Sequence, residues 1–221
     1  SNPSYESAFN GIVYIHSISD AVGNRRGIRI KNGSRIPTAG LTIARNNAVY
    51  VQGDFNTGAT GGTVPSNVAN SYSDPNNPPN PQTSAYTRAP TSILADAVNV
   101  LSNSWNDANS AAALSSRVAS NTTINAAFVS GIVPTNVNGD GGYSGGAENF
   151  PRFLENWSAS QLTYYGSMVE LYKSKYSTGE WGAASYSPPL REWFFDNNFK
   201  ITPPPGSLMI FSYNKGLWSV Q

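Results

Sequence analysis

Three short alternations of apolar and polar residues stand out along this chain: Ile28-Arg29-Ile30, Leu41-Thr42-Ile43 and Val49-Tyr50-Val51, each closed by Gly or Asn. Alternation with period two places every second side chain on one face, the pattern of a half-buried strand. Ile28 and Val49 are 21 positions apart, in two unequal steps. That interval matches one rung of a parallel β-helix, in which stacked rungs bury a core without a cofactor.

The pattern recurs at irregular intervals. Ile12 to Ile15 forms an earlier apolar run, and Gly23-Asn24 is a turn signal before the first alternation. Residues 58–90 turn into Gly, Asn, Ser and Pro; Pro lacks a ladder donor and Asn favours turns, so this stretch reads as a long surface loop insertion. Ser92 to Asp107 fits two templates, a helical stripe of Leu94, Val98, Leu101 and Trp105 or short strands broken at Asp96. The neighbouring alternations favour the strands. Thr122 to Val133 reads as strand, small residues, strand. In Glu148 to Trp157, Phe150, Phe153, Leu154 and Trp157 fall at i, i+3, i+4 and i+7, which predicts one or two helical turns. Leu162-Thr163-Tyr164 and Met168 to Tyr172 form another strand pair divided at Gly166. Residues 181–221 read as an irregular aromatic cap, whose last apolar runs, Leu208 to Phe211 and Leu217-Trp218, would cover an end of the stack. The expected fold is mainly β: one domain, 1–221, built as an irregular right-handed parallel β-helix or solenoid with a few short helices and the long Pro/Asn-rich loop.

Composition narrows the function. Only 12% of residues are charged and the net charge is +1, so the small cluster Arg25, Arg26, Arg29 and Lys31 falls short of a nucleic-acid footprint. Cysteine is absent, which excludes disulfides, thiol nucleophiles and thiolate metal sites. No apolar run is long enough to span a bilayer as a helix, so no transmembrane segment is expected in this chain. It starts at Ser1, and a signal or anchor is expected outside it. Low charge with many small polar residues and 12 Tyr points to an exported, extracellular or cell-surface protein.

Candidate chemistry is sparse. His16, the single histidine, follows the apolar run Ile12 to Ile15 and could act as a general base; a satisfied residue at a strand end is the preferred reading. Ser144 lies in a glycine loop with no strand before it, unlike a nucleophile elbow. Among Asp54, Asp96, Asp107 and Asp140, the first two follow apolar strands at comparable positions. On adjacent rungs two such acids would lie about 5 Å apart, close enough to hold a cation or raise a pKa. Turn capping is the simpler role. Asn138 to Gly142 lacks the ligand series of a calcium loop. Asn46-Asn47 and Asn197-Asn198 read as turn closers or inter-rung ladders. Trp181, Tyr186, Trp193, Phe194, Phe195 and Phe199 could stack on sugar rings or face a partner, but suit the core of the cap better. No catalytic residue, metal site or cofactor is assigned.

Taken in order, the segments LTIARNNAVYVQGDFNT, SILADAVNVLSNSWND, TTINAAFVSGIVPT, ENFPRFLENW, LTYYGSMVELYKSKYSTGEWG and YSPPLREWFFDNNF resemble the C-terminal region of large bacterial surface proteins. These have a prepilin-like N-terminus and are of the PilX-type pilus-assembly class. The resemblance runs over residues 25 to 205. It implies export, a pilus- or surface-filament-associated role and a solenoid-like head, and it carries over no catalytic residues. This chain lacks the hydrophobic N-terminal helix of that pattern. The expected function is a non-enzymatic structural or assembly protein that contacts copies of itself or other envelope proteins. The alternative is a carbohydrate-binding or polysaccharide-cleaving β-helix, with a groove lined by Asp54, Asp96 and exposed Tyr or Trp.

Overall fold

A computed structural model describes residues 9–16, 26–58, 88–132, 150–178 and 185–207. The described chain is mainly β, with twelve strands: β1 (Ile12–Ile15), β2 (Ile28–Lys31), β3 (Leu41–Arg45), β4 (Val49–Gln52), β5 (Thr91–Ala95), β6 (Val98–Leu101), β7 (Thr122–Asn125), β8 (Ala127–Ile132), β9 (Arg152–Phe153), β10 (Gln161–Gly166), β11 (Met168–Lys173) and β12 (Leu190–Phe195). They form three sheets, ordered β1-β3-β5-β8-β11, β2-β4-β6-β9 and β7-β10-β12, and every pairing is parallel. Within each sheet the strands lie in chain order, so the chain returns to each sheet one layer further along. Phe55 extends the third sheet by a parallel bridge to Ile124.

The registers explain the sequence pattern. Ile28 lies opposite Val49, and Val49 opposite Val98, so the 21-residue interval is a true pairing distance. Ile30, Val51, Val100 and Phe153 form a second inward row. Ile43, Ile93 and Phe128 supply the five-stranded sheet's row, and Phe55, Ile124, Tyr164 and Trp193 that of the third sheet. Residues of all three sheets meet in one core. Each fully buried Val, Ile or Phe of that core contributes about 1.5–3 kcal/mol. Gly166 permits a close approach of neighbouring layers: a Cβ there would collide with the Ala126 carbonyl oxygen.

Several expectations hold and others change. The break at Asp96 separates β5 from β6, and the division in residues 162–172 falls at Ser167, one residue past Gly166. Of the helix expected over 148–157, none forms in the described residues 150–157; Arg152–Phe153 is a strand, and Asn156 bridges both Val118 and Ser187. Phe153, Glu155 and Trp157 are all buried, a period-two pattern concealed because its middle member is a carboxylate. The aromatic cap is less irregular than expected, since Leu190–Phe195 pairs along its whole length with β10. Most of the 58–90 insertion (59–87) and the runs Leu208 to Phe211 and Leu217-Trp218 lie outside the described residues.

Candidate functional site

The outer face of the five-stranded sheet is apolar. Because Ile43, Ile93 and Phe128 point into the core, their neighbours point out: Tyr14 opposite Ala44, then Leu94, Val129 and Val169. A register shift between Glu170 and Tyr172 adds Leu171 to this surface. Tyr14 is 62% exposed and Leu171 65%, large values for residues that could be buried. Val169 and Tyr172 are also exposed, and the Tyr172 hydroxyl donates to the Ala95 carbonyl at 3.0 Å.

The chain's own C-terminal segment crosses part of this face. Thr42 Oγ1 donates to the Pro205 carbonyl at 2.6 Å, and Gly40, at φ +98°, leaves the space that Pro205 fills; a Cβ there would lie 2.9 Å from Pro205 Cδ. Beside this strap runs an apolar groove of about 480 Å³, whose walls include Ile12, Leu94, Val129, Val169, Phe195 and Phe199. A shallower depression between Tyr14, Leu94, Leu171 and Tyr172 continues it.

A second, polar cleft of about 420 Å³ lies where β2, β4 and the turn after β6 meet the corner toward the third sheet. Lys31, Asn32, Ser34, Gln52, Gly53, Asp54 and Asn103 line it. Two of these hold left-handed backbone, Asn32 at φ 58° and Gly53 at φ 76°. Asp54 Oδ1 accepts the Thr123 N–H at 2.8 Å, and the Asp54 N–H donates to Asn103 Oδ1 at 3.0 Å. Partial burial pushes the Asp54 carboxyl above its usual range, and the bonds from Thr123 and Asn103 only partly oppose that.

Asp54 and Asp96 do not share a site. Asp54 follows β4 at the corner toward the third sheet, whereas Asp96 follows β5 at the corner between the other two sheets. Sequence spacing alone made them look equivalent. Asp96 is fully occupied by backbone: it accepts from the N–H groups of Lys175, Tyr176 and Ser177 at 2.6, 2.9 and 2.7 Å. Asp107 forms a bidentate pair with Arg29, at 2.5 and 2.9 Å, that holds its carboxyl at about 2. His16 is exposed at the end of β1, its ring 6.2 Å from that of Tyr14. Asp140, Ser144, Trp181 and Asn138 to Gly142 lie outside the described residues.

The aromatic set divides. Tyr186 packs against Phe153 and Trp193 edge-on against Tyr164 at 6.2 Å, both toward the core, whereas Phe194 stacks on Tyr165 at 5.0 Å on the opposite face of the third sheet. Phe195 and Phe199 wall the apolar groove. Asn47 is buried in the turn between β3 and β4, where its carbonyl accepts the Asp96 N–H, and Asn198 donates its N–H to the Asp196 carboxylate. The inter-layer asparagine contact occurs instead at Asn56 and Asn125, which were not singled out because the chain is rich in Asn. A clue lay in their setting: each follows directly on an inward apolar residue, Phe55 or Ile124.

Among the described residues no group of three or more His, Asp or Glu side chains is placed to hold a metal ion. Comparison with family models, with curated proteins and with solved structures returned no match.

Proposed function

We propose that the chain is a non-enzymatic extracellular structural or assembly domain, an irregular right-handed parallel β-solenoid that associates with copies of itself. The observation that carries this reading is the exposed apolar face formed by Tyr14, Val169, Leu171 and Tyr172 on one sheet. The solenoid reading is supported by three all-parallel sheets whose strands are stacked in chain order.

Tyr14 and Leu171 sit on the two edge strands of that sheet, four strand spacings or about 19 Å apart, so the face is broad enough for sheet-on-sheet packing. Large apolar patches of this kind mark association surfaces. Low charge with many small polar residues and 12 Tyr supports export, and the resemblance to the PilX-type class supports a pilus- or filament-associated setting. No helix among the described residues is long and apolar enough to cross a membrane.

The test is sedimentation and negative-stain microscopy of the chain beside Tyr14→Asp and Leu171→Asp. Self-association of the parent chain that either variant abolishes, with unchanged circular dichroism, is the expected result. A parent chain that stays monomeric at its solubility limit refutes the reading.

A further inference from the structure

We propose that the polar cleft formed by Lys31, Asn32, Ser34, Gln52 and Asp54 is a saccharide-binding site. It stands apart from the apolar face and does not depend on the self-association reading.

The cleft is built by three consecutive layers, since β2 ends at Lys31, β4 ends at Gln52, and Asn103 follows β6. Its lining therefore repeats at the strand spacing of about 4.8 Å, close to the length of one pyranose unit in an extended chain. A linear oligosaccharide lying along the stacking direction would present one ring to each layer.

The side chains offer the matching chemistry. Lys31 Nζ, the Asn32 amide, Ser34 Oγ and Gln52 Oε1 make no hydrogen bond among the described residues. Gln52 is held in place through its other atom, with Nε2 donating to the Trp105 carbonyl at 3.2 Å. Donors and acceptors are thus interleaved, as vicinal hydroxyls require, since each hydroxyl both gives and accepts. The Asp54 carboxylate is anchored by the Thr123 N–H and partly withdrawn from water, which strengthens any hydroxyl bond it accepts. A divalent cation would need several anionic oxygens, and the cleft lining holds a single carboxylate. A phosphate would meet that same carboxylate.

The experiment is a titration of the isotope-labelled chain with cellotetraose and, separately, tetragalacturonate, followed by amide NMR. The expected result is that at least one of the two shifts the amides of Asn32, Gly53, Asp54 and Asn103, and that Asp54→Asn weakens binding about tenfold. Asn retains an oxygen for the Thr123 N–H, and the exposed Lys31→Ala gives a second variant that leaves the corner intact. Tetragalacturonate binding that Lys31→Ala weakens places a uronate at the ammonium and supports the site. No shift with either sugar, shifts confined to other surfaces, or equal binding by Asp54→Asn overturns the proposal. Because the apolar face is untouched by these variants, failure here leaves the sedimentation result unaffected.

Discussion

Arg88 grips Asp196 through two parallel hydrogen bonds, Nε to Oδ2 at 3.0 Å and Nη2 to Oδ1 at 2.9 Å, with the two side chains only 1% and 3% exposed. The Tyr165 ring lies 4.6 Å from the guanidinium carbon, and Asp196 Oδ1 also accepts the Asn198 N–H. The pair ties the entry to β5 to the residue just after β12, 108 positions away. Arg88→Met is expected to cost about 3–5 kcal/mol, because it strands a buried carboxylate; Arg88→Met with Asp196→Leu should recover part of that loss. Urea unfolding of the single and double variants measures the difference, and a double variant less stable than the single one contradicts the account.

Asn56 and Asn125 join successive layers where the third sheet turns into the five-stranded one. Asn56, at φ 54°, donates through Nδ2 to the carbonyls of Ala89 and Asn125 at 2.7 and 2.8 Å and accepts the Ala89 N–H at 2.9 Å. Asn125 Nδ2 returns a bond to the Asn56 carbonyl at 3.0 Å. Asn56→Gly keeps the backbone conformation but leaves those groups unpaired, a loss of about 2–3 kcal/mol. Asn56→Asp should cost more, since a carboxylate would face two carbonyl oxygens. Thermal unfolding that ranks Asp above Gly in stability disproves this.

Much of the strand pattern could be read from the chain because inward residues such as Ile28, Val49 and Val98 alternate with outward ones between Gly and Asn turns. The reading failed where a polar residue took an inward place. Glu155 is buried because the Ser102 N–H and hydroxyl satisfy it at 2.6 and 2.7 Å, a contact 53 residues distant. Without that partner in view, Phe150, Phe153 and Trp157 looked helical. The corner occupied by each Asp was equally hidden, since it depends on which sheet the preceding strand joins. Surface chemistry was harder still: Lys31 and Asp54 meet in one cleft only after β2 and β4 have paired.

The Glu155 carboxyl is pushed above its usual range by burial, an effect that the Ser102 bonds and nearby Arg117 only partly offset. A carboxyl whose pKa is higher folded than unfolded binds more protons in the folded state. Its stabilising contribution is therefore complete below the unfolded value and disappears as pH rises through the folded one. Glu155→Gln removes this dependence. Unfolding free energies from about pH 4 to about pH 7 should show the advantage of the parent chain over the variant shrinking with pH. A difference that grows with pH rejects the assignment.

Asp96 gives the sharpest local test, because one carboxylate collects three backbone donors from Lys175, Tyr176 and Ser177 while its own carbonyl accepts from Ser174 Oγ at 2.5 Å. These bonds fasten the chain beyond β11 to the turn between β5 and β6, two layers back in the same sheet. Asparagine offers one acceptor oxygen and one amide donor, so Asp96→Asn must set an N–H group against at least one backbone N–H. The expected cost is about 1–3 kcal/mol, and Asp96→Ala, with three donors unpaired, should exceed it. Hydrogen exchange distinguishes this from a general loss of stability: the amides of Lys175, Tyr176 and Ser177 should exchange faster than the remaining strand amides slow or quicken. Unchanged protection at those three positions in Asp96→Ala would mean that the carboxylate does not hold the segment.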